Sequence, residues 1–217
     1  MIYTSNEMFH PEILTEEQKK LLSLVKHFKK EYYLVGGTAI ALHIGHRKSI
    51  DFDLFTTKKI QRITIKKLIS ENAPSPPVFA YEADDQIHLR IGPVKVTFFQ
   101  YPYEVPHKTE YNGIITMPSL LDLAAMKAFA FAQRAKWKDY VDIYFMLKHH
   151  FTVREISKRT EELFNTSNSV VFTEKLFRQQ ISFFSNIDFS EPAEFIGEPI
   201  KEDEIKKFLT EVATTPF

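Results

Sequence analysis

A pair of glycines ending an apolar strand, and an Asp-x-Asp pair on the strand after it, constrain this chain more than any other feature. The segment runs Leu34-Val35-Gly36-Gly37-Thr38-Ala39-Ile40-Ala41-Leu42. After Gly45-His46-Arg47-Lys48-Ser49-Ile50 it reaches Asp51-Phe52-Asp53-Leu54-Phe55. This order predicts a strand, a short apolar helix and a second strand. Alternate residues of a strand share a face. Asp51 and Asp53 therefore project together, while Ile50, Phe52 and Leu54 turn the other way into a core. Two neighbouring carboxylates repel unless a cation lies between them. Mg²⁺ takes oxygen ligands of this kind, with substrate phosphates completing its shell. Glycines let backbone approach a phosphate closely, and a helix N-terminus favours anions. A phosphate site at Gly36, Gly37 and Thr38 and a metal site at Asp51 and Asp53 are thus expected within one unit.

Composition sets the frame around that unit. A chain of 217 residues makes one large domain or two small ones, at the usual ~100–200 residues per domain. Its 44% hydrophobic residues, with 20 phenylalanines, supply ample core. The absence of cysteine excludes disulfides, zinc–thiolate sites and thiol nucleophiles. Lys and Arg balance Asp and Glu at 28 each, so bulk charge gives no argument for nucleic-acid binding. Residues 1–8 carry neither a basic region nor an apolar stretch, so no signal peptide is expected. The longest apolar region, 120–132, is broken by Asp122 and Lys127 and is too short to span a bilayer. A cytoplasmic protein without a membrane partner is expected.

Along the chain, Thr15-Glu16-Glu17-Gln18 forms a capping box before an amphipathic helix reaching about Lys30. Strands are expected at 32–35 and 49–54, with helices at 38–44 and 60–69. Residues 73–77 read as a loop, and 78–83, 86–91 and 94–100 as three strands. Asp84-Asp85 and Gly92-Pro93 supply the turns between them. The pattern is a mixed α/β sheet. After Met117-Pro118 it becomes helical, at about 119–132, 136–149, 153–164, 170–183 and 201–213. Two regions are expected, 1–116 as a sheet-bearing core and 117–217 as a helical part closing over the cleft.

Ser119 can cap the first of these helices, whose apolar stripe is Leu120, Leu123, Ala124, Lys127 and Phe131. A lysine on a buried stripe needs an anion. The next helix sets Asp139, Asp142, Ile143 and Met146 on one face. Either Lys127 ties the helices together through these acids, or it meets a bound anion. Lys59, Arg62 and Lys66 would share a helical face, and His46-Arg47-Lys48 would form a basic turn, both able to neutralise phosphates. His43 and His46 have metal-compatible spacing, but no zinc site is expected there.

Gly36-Gly37-Thr38, Gly45-His46-Arg47 and Ser49-Ile50-Asp51-Phe52-Asp53 closely resemble the signature of AbiEii/AbiGii toxin-type nucleotidyltransferases, within the polymerase-β-like superfamily. Lys127 and the run Lys138-Asp139-Tyr140-Val141-Asp142 resemble that family's helical Lys and Arg-Asp-x-x-Asp, with Lys in place of Arg. The resemblance covers about residues 30–148 and implies a polymerase-β-like sheet followed by helices. It implies catalytic roles for Asp51, Asp53, Lys127, Asp139 and Asp142. Gly36, Gly37, Thr38, Arg47, Ser49 and Lys127 would bind the nucleotide, with Mg²⁺ or Mn²⁺ on Asp51 and Asp53. It also implies a nucleoside triphosphate substrate, an RNA acceptor such as the tRNA 3′ end, and a cognate antitoxin. One departure stands out. The family's Val-Lys-Val-Asp-Phe-Phe carries a third acid, where this chain has Val94-Lys95-Val96-Thr97-Phe98-Phe99. Thr97 leaves open a weakened or inactive nucleotide-binding relative, and the same metal and triphosphate site leaves open a phosphotransferase acting on protein. Asp84 and Asp85 lie nearby, but a hairpin turn is a poor place for the missing acid.

Overall fold

The computed structural model describes residues 9–131, 136–165 and 171–215. The 1–8 reading and the expected helix ends at 132 and 170 lie outside the described residues. Helix α1 (Glu16–His27) opens with the expected capping box, in which Thr15 Oγ1 accepts from the Gln18 backbone and Gln18 reaches back. Then follow β1 (Tyr33–Val35), α2 (Gly36–Ile44), β2 (Asp51–Thr56) and α3 (Arg62–Asn72). Lys59 therefore precedes α3 and does not share its face with Arg62 and Lys66. Strands β3 (Pro77–Glu82), β4 (Gln86–Ile91) and β5 (Val94–Gln100) form the expected meander, with Pro77 already in strand.

Two short strands escaped the sequence reading, β6 (Thr109–Tyr111) and β7 (Ile115–Met117). They form a hairpin whose turn places Asn112 at φ 49° and Gly113 at φ 66°. An Asn-Gly pair is suited to that left-handed turn and was the available signal. The helices α4 (Leu120–Phe131), α5 (Trp137–His149), α6 (Val153–Phe164), α7 (Glu174–Ile181) and α8 (Glu202–Thr214) complete the chain. Among the described residues no helix is long and apolar enough to cross a membrane.

The seven strands form one mixed sheet in the order β3-β4-β5-β2-β1-β7-β6. Strand β2 sits centrally, antiparallel to β1 and parallel to β5. On one face Phe52, Leu54, Val96 and Phe98 are buried. Phe28, the residue that ends α1, packs on that face with its ring 4.8 Å from Phe98. Ile50 departs from expectation. The strand begins at Asp51, two residues later than expected, and Ile50 is 50% exposed rather than part of the core. The opposite sheet face and α4 enclose a cleft between them.

Candidate active site

The cleft has a volume of about 720 Å³, within the range of small-molecule sites. Gly36, Asp53, Thr97 and Lys127 all line it. The register explains the grouping. Asp53 is paired with Val35 on β1 and with Thr97 on β5, and Thr97 is paired with His88 on β4. Asp53, Thr97 and His88 thus form one row across the sheet. Thr97 faces the acid pair's side of the sheet.

Asp51 is one strand period away from Asp53 and half-buried. The Lys138 ammonium of α5 lies 3.6 Å from Asp51 Oδ2. Lys138 also pairs with Glu191, as does Lys136. Burial opposes ionisation of Glu191, but hydrogen bonds from both lysines bring its pKa down to about 2. This Lys138–Asp51 approach was not legible in the sequence, because it joins β2 to a helix that begins 86 residues beyond Asp51.

The start of α2 is built for close approach. Gly36 has φ 75°, and a Cβ there would lie 2.4 Å from Asp53 Oδ2. A left-handed non-glycine residue costs roughly 1–2 kcal/mol. Gly36→Ala is therefore expected to lower stability by about that much and to displace the Asp53 carboxylate. Activity that depends on Asp53 should fall sharply while the protein stays folded. A Gly36→Ala enzyme with full activity would show that this contact does not position Asp53. Gly37 is closed from the other side, where a Cβ would meet Arg47 Nη2 at 2.5 Å and Ser49 Oγ at 3.1 Å. The Thr38 hydroxyl donates to the Asp51 carbonyl and pins α2 to the start of β2.

Beneath this turn lies a buried ionic network. Asp142, fully buried, accepts from Arg47 Nε at 2.6 Å, Arg47 Nη2 at 2.9 Å and His46 Nε2 at 2.7 Å. The Lys127 ammonium is 2.7 Å from Asp139 Oδ1 and 2.8 Å from Asp142 Oδ2. Burial alone would raise the Asp142 pKa, but Arg47, Lys127 and the His46 contact hold it well below the carboxylate range. Burial dominates at His46 and lowers its pKa despite Asp142. Arg47 and Lys127 are thus set against Asp139 and Asp142, with His46 at their edge. Lys127 alone of this cluster also borders the cleft. An ammonium has three donors, so two acids do not exhaust it.

The predicted site residues therefore divide. Gly36, Asp53 and Lys127 come together in the cleft, with Asp51 beside Lys138. Gly37, Thr38, Arg47, Ser49, Asp139 and Asp142 are packed behind them and do not line it. The basic turn needs correction as a phosphate contact: His46 and Arg47 are buried on Asp142, and Lys48 pairs with Glu194. Arg62 and Lys66 are likewise paired, with Asp84 and Glu82. His43 Nε2 is 3.1 Å from the Pro118 carbonyl. Asp85, set aside in the sequence reading as part of a turn, does line the cleft, together with His88 and Lys95. Their side chains converge only through strand register, which composition does not reveal.

Among the described residues no group of three or more His, Cys, Asp or Glu is placed to hold a metal ion. The Asp51/Asp53 pair still fits Mg²⁺, which usually keeps waters and takes one or two carboxylates plus substrate phosphates.

The chain is similar to several known proteins. The model of the AbiEii nucleotidyl transferase toxin family, a type IV toxin–antitoxin system, matches residues 21–113 and 79–215. An uncharacterised protein of Aquifex aeolicus (strain VF5), aq_aa25, is 30% identical over 87% of this chain and 97% of its own length. Among solved structures, MenT4, a nucleotidyltransferase toxin from Mycobacterium tuberculosis H37Rv, aligns with a TM-score of 0.58 at 12% identity. That alignment covers 91% of this chain and 80% of MenT4. JHP933 from Helicobacter pylori aligns with a TM-score of 0.54 at 15% identity, over 92% and 91% of the two chains. At such identities the likeness concerns the fold. The matched family model spans nearly the whole described chain, and the protein belongs to the AbiEii nucleotidyltransferase toxin family.

Proposed function

We propose that this toxin nucleotidyltransferase transfers a nucleoside monophosphate from a triphosphate to an RNA acceptor, in a divalent-metal-dependent reaction, and that a cognate antitoxin restrains it. The observation that carries this reading is the meeting of Gly36, Asp53 and Lys127 in one cleft, with the carboxylate of Asp51 on the same strand face. In this reading residues 1–116 form the catalytic core and 117–217 the helical part that brings in Lys127.

The backbone of Gly36, at the start of α2, meets the phosphates, where the helix dipole favours negative charge. Asp51 and Asp53 would hold Mg²⁺ or Mn²⁺, which when bound supplies charge stabilisation to phosphoryl oxygens. Lys127 neutralises charge on the leaving pyrophosphate, with Asp139 and Asp142 fixing its ammonium. The acceptor hydroxyl oxygen forms a bond to the α-phosphorus. The bond from that phosphorus to the bridging oxygen breaks, and pyrophosphate leaves with the electron pair. The hydroxyl proton passes to solvent or to a basic group of the cleft, Asp53 or His88. Pyrophosphate release that requires Mg²⁺ and added RNA tests this reading. Release of inorganic phosphate instead would point to phosphoryl transfer.

Thr97 supplies a hydroxyl where the related motif has a carboxylate. Because it is paired with Asp53 and borders the cleft, Thr97→Asp is expected to tighten Mg²⁺ or Mn²⁺ dependence and to maintain or raise turnover. A metal titration of both proteins checks this. Weaker metal dependence in a folded Thr97→Asp protein would exclude position 97 from the metal's surroundings.

A further inference from the structure

The cleft changes character along its length. Beyond Asp53 and Thr97, the next pair on the same sheet face is Phe55 and Phe99, whose rings are 5.2 Å apart. Tyr101 follows, held in extended pairing by its backbone N–H donating to the Thr56 carbonyl at 2.7 Å. Its ring lies 5.1 Å from Phe55 and 5.4 Å from Tyr103. Tyr103 is in turn 5.3 Å from Phe129 of α4, two residues beyond Lys127. Phe129 is stacked on the buried Phe164 ring at 4.3 Å, which fixes its position. All five cleft rings are only half-buried, so part of their surface faces the open cleft.

Tyr101 lies four positions beyond Thr97, a distance of about 13 Å at ~3.3 Å per residue of extended chain. This is the scale on which a nucleoside extends from its α-phosphate. Aromatic rings stack on any nucleobase, since every base presents a π-face.

We propose that Tyr101, Tyr103 and Phe129 form the nucleobase subsite of the triphosphate, the rings stacking on the base while Gly36 and Lys127 hold the phosphates. This rests on the nucleoside triphosphate reading above. The subsite accepts both purine and pyrimidine bases, because its contacts are faces rather than base edges.

Equilibrium binding of ATP, CTP and inorganic tripolyphosphate, each with Mg²⁺, tests the proposal on the full chain. Tyr101→Leu and Tyr103→Leu keep apolar volume and remove the ring face, while Tyr101→Phe and Tyr103→Phe keep the ring. The Leu variants should bind both nucleotides about 5- to 100-fold more weakly and tripolyphosphate as wild type does. The Phe variants should retain most nucleotide affinity. Thermal melting accompanies each variant. Tyr103 also packs 5.0 Å from Phe164, and if Tyr103→Leu loses its fold for that reason, Tyr101→Leu carries the comparison. Unchanged nucleotide affinity in a folded Leu variant overturns the subsite, as does an equal loss of tripolyphosphate. Unchanged nucleotide affinity with weakened RNA binding assigns the rings to the acceptor and overturns it too. A wild-type protein that binds tripolyphosphate but gains nothing from the nucleoside overturns the subsite alone. One that binds neither nucleotide nor tripolyphosphate removes the triphosphate reading itself.

Discussion

Asp53→Asn is expected to reduce nucleotidyl transfer by at least about 10³-fold while leaving the protein folded. Metal-borne charge stabilisation is worth several kcal/mol in a phosphoryl transition state, and each ~1.4 kcal/mol is tenfold in rate. Asn keeps the volume but removes the charge that holds the cation. Asp53 borders the cleft directly, beside Gly36 and opposite Thr97. Relief of repulsion from Asp51 opposes any loss of stability. Asp51→Asn should behave similarly but also frees Lys138 from its carboxylate 3.6 Å away. Rates with saturating Mg²⁺, measured beside melting curves, check both variants. Wild-type turnover in either folded variant would remove that residue from the metal site.

Asp142→Ala is expected to show the largest loss of stability among single changes in the site. It strands the buried Arg47 guanidinium and leaves Lys127 with Asp139 alone. Breaking a buried ion pair from one side costs roughly 3–5 kcal/mol. For a chain of this size that is a fall in melting temperature of about 6–20 °C. The lowered Asp142 pKa gives the sign of the pH dependence. The stability it contributes is present above its unfolded value, about 3.9. It is lost only as pH falls through the still lower folded value. Thermal melts of wild type and Asp142→Ala between neutral pH and strong acid should therefore differ most at neutral pH and converge in acid. A melting temperature within about 2 °C of wild type at neutral pH would contradict the network's structural role.

Local physics made much of this legible in the sequence. Alternation along β2 placed Asp51 and Asp53 together. The Thr15 and Ser119 caps marked helix starts, the latter through Ser119 Oγ accepting from the Asp122 N–H at 3.2 Å. Helical periodicity put Lys127 on a buried stripe facing the acids of α5. What stayed hidden depends on contacts distant in sequence. His46 and Arg47 look like a basic surface turn until Asp142, 95 and more residues away, draws them inside. His88 and Asp85 reach the cleft only because β4 is registered on β5. The β6–β7 hairpin was missed for a different reason. Three-residue strands are too short for alternation to register, and only Asn112-Gly113 marked the turn.

Incubation with triphosphate labelled at either the α- or the γ-phosphate, with Mg²⁺ and total cellular RNA, tests nucleotidyl transfer most directly. Acceptor RNA should retain α-label in wild type, lose it on chelation of the metal and lack it with Asp53→Asn. The γ-label should leave entirely as pyrophosphate. Retention of γ-label on protein or RNA, or wild-type protein that binds triphosphate yet leaves no α-label on any acceptor, would contradict the account.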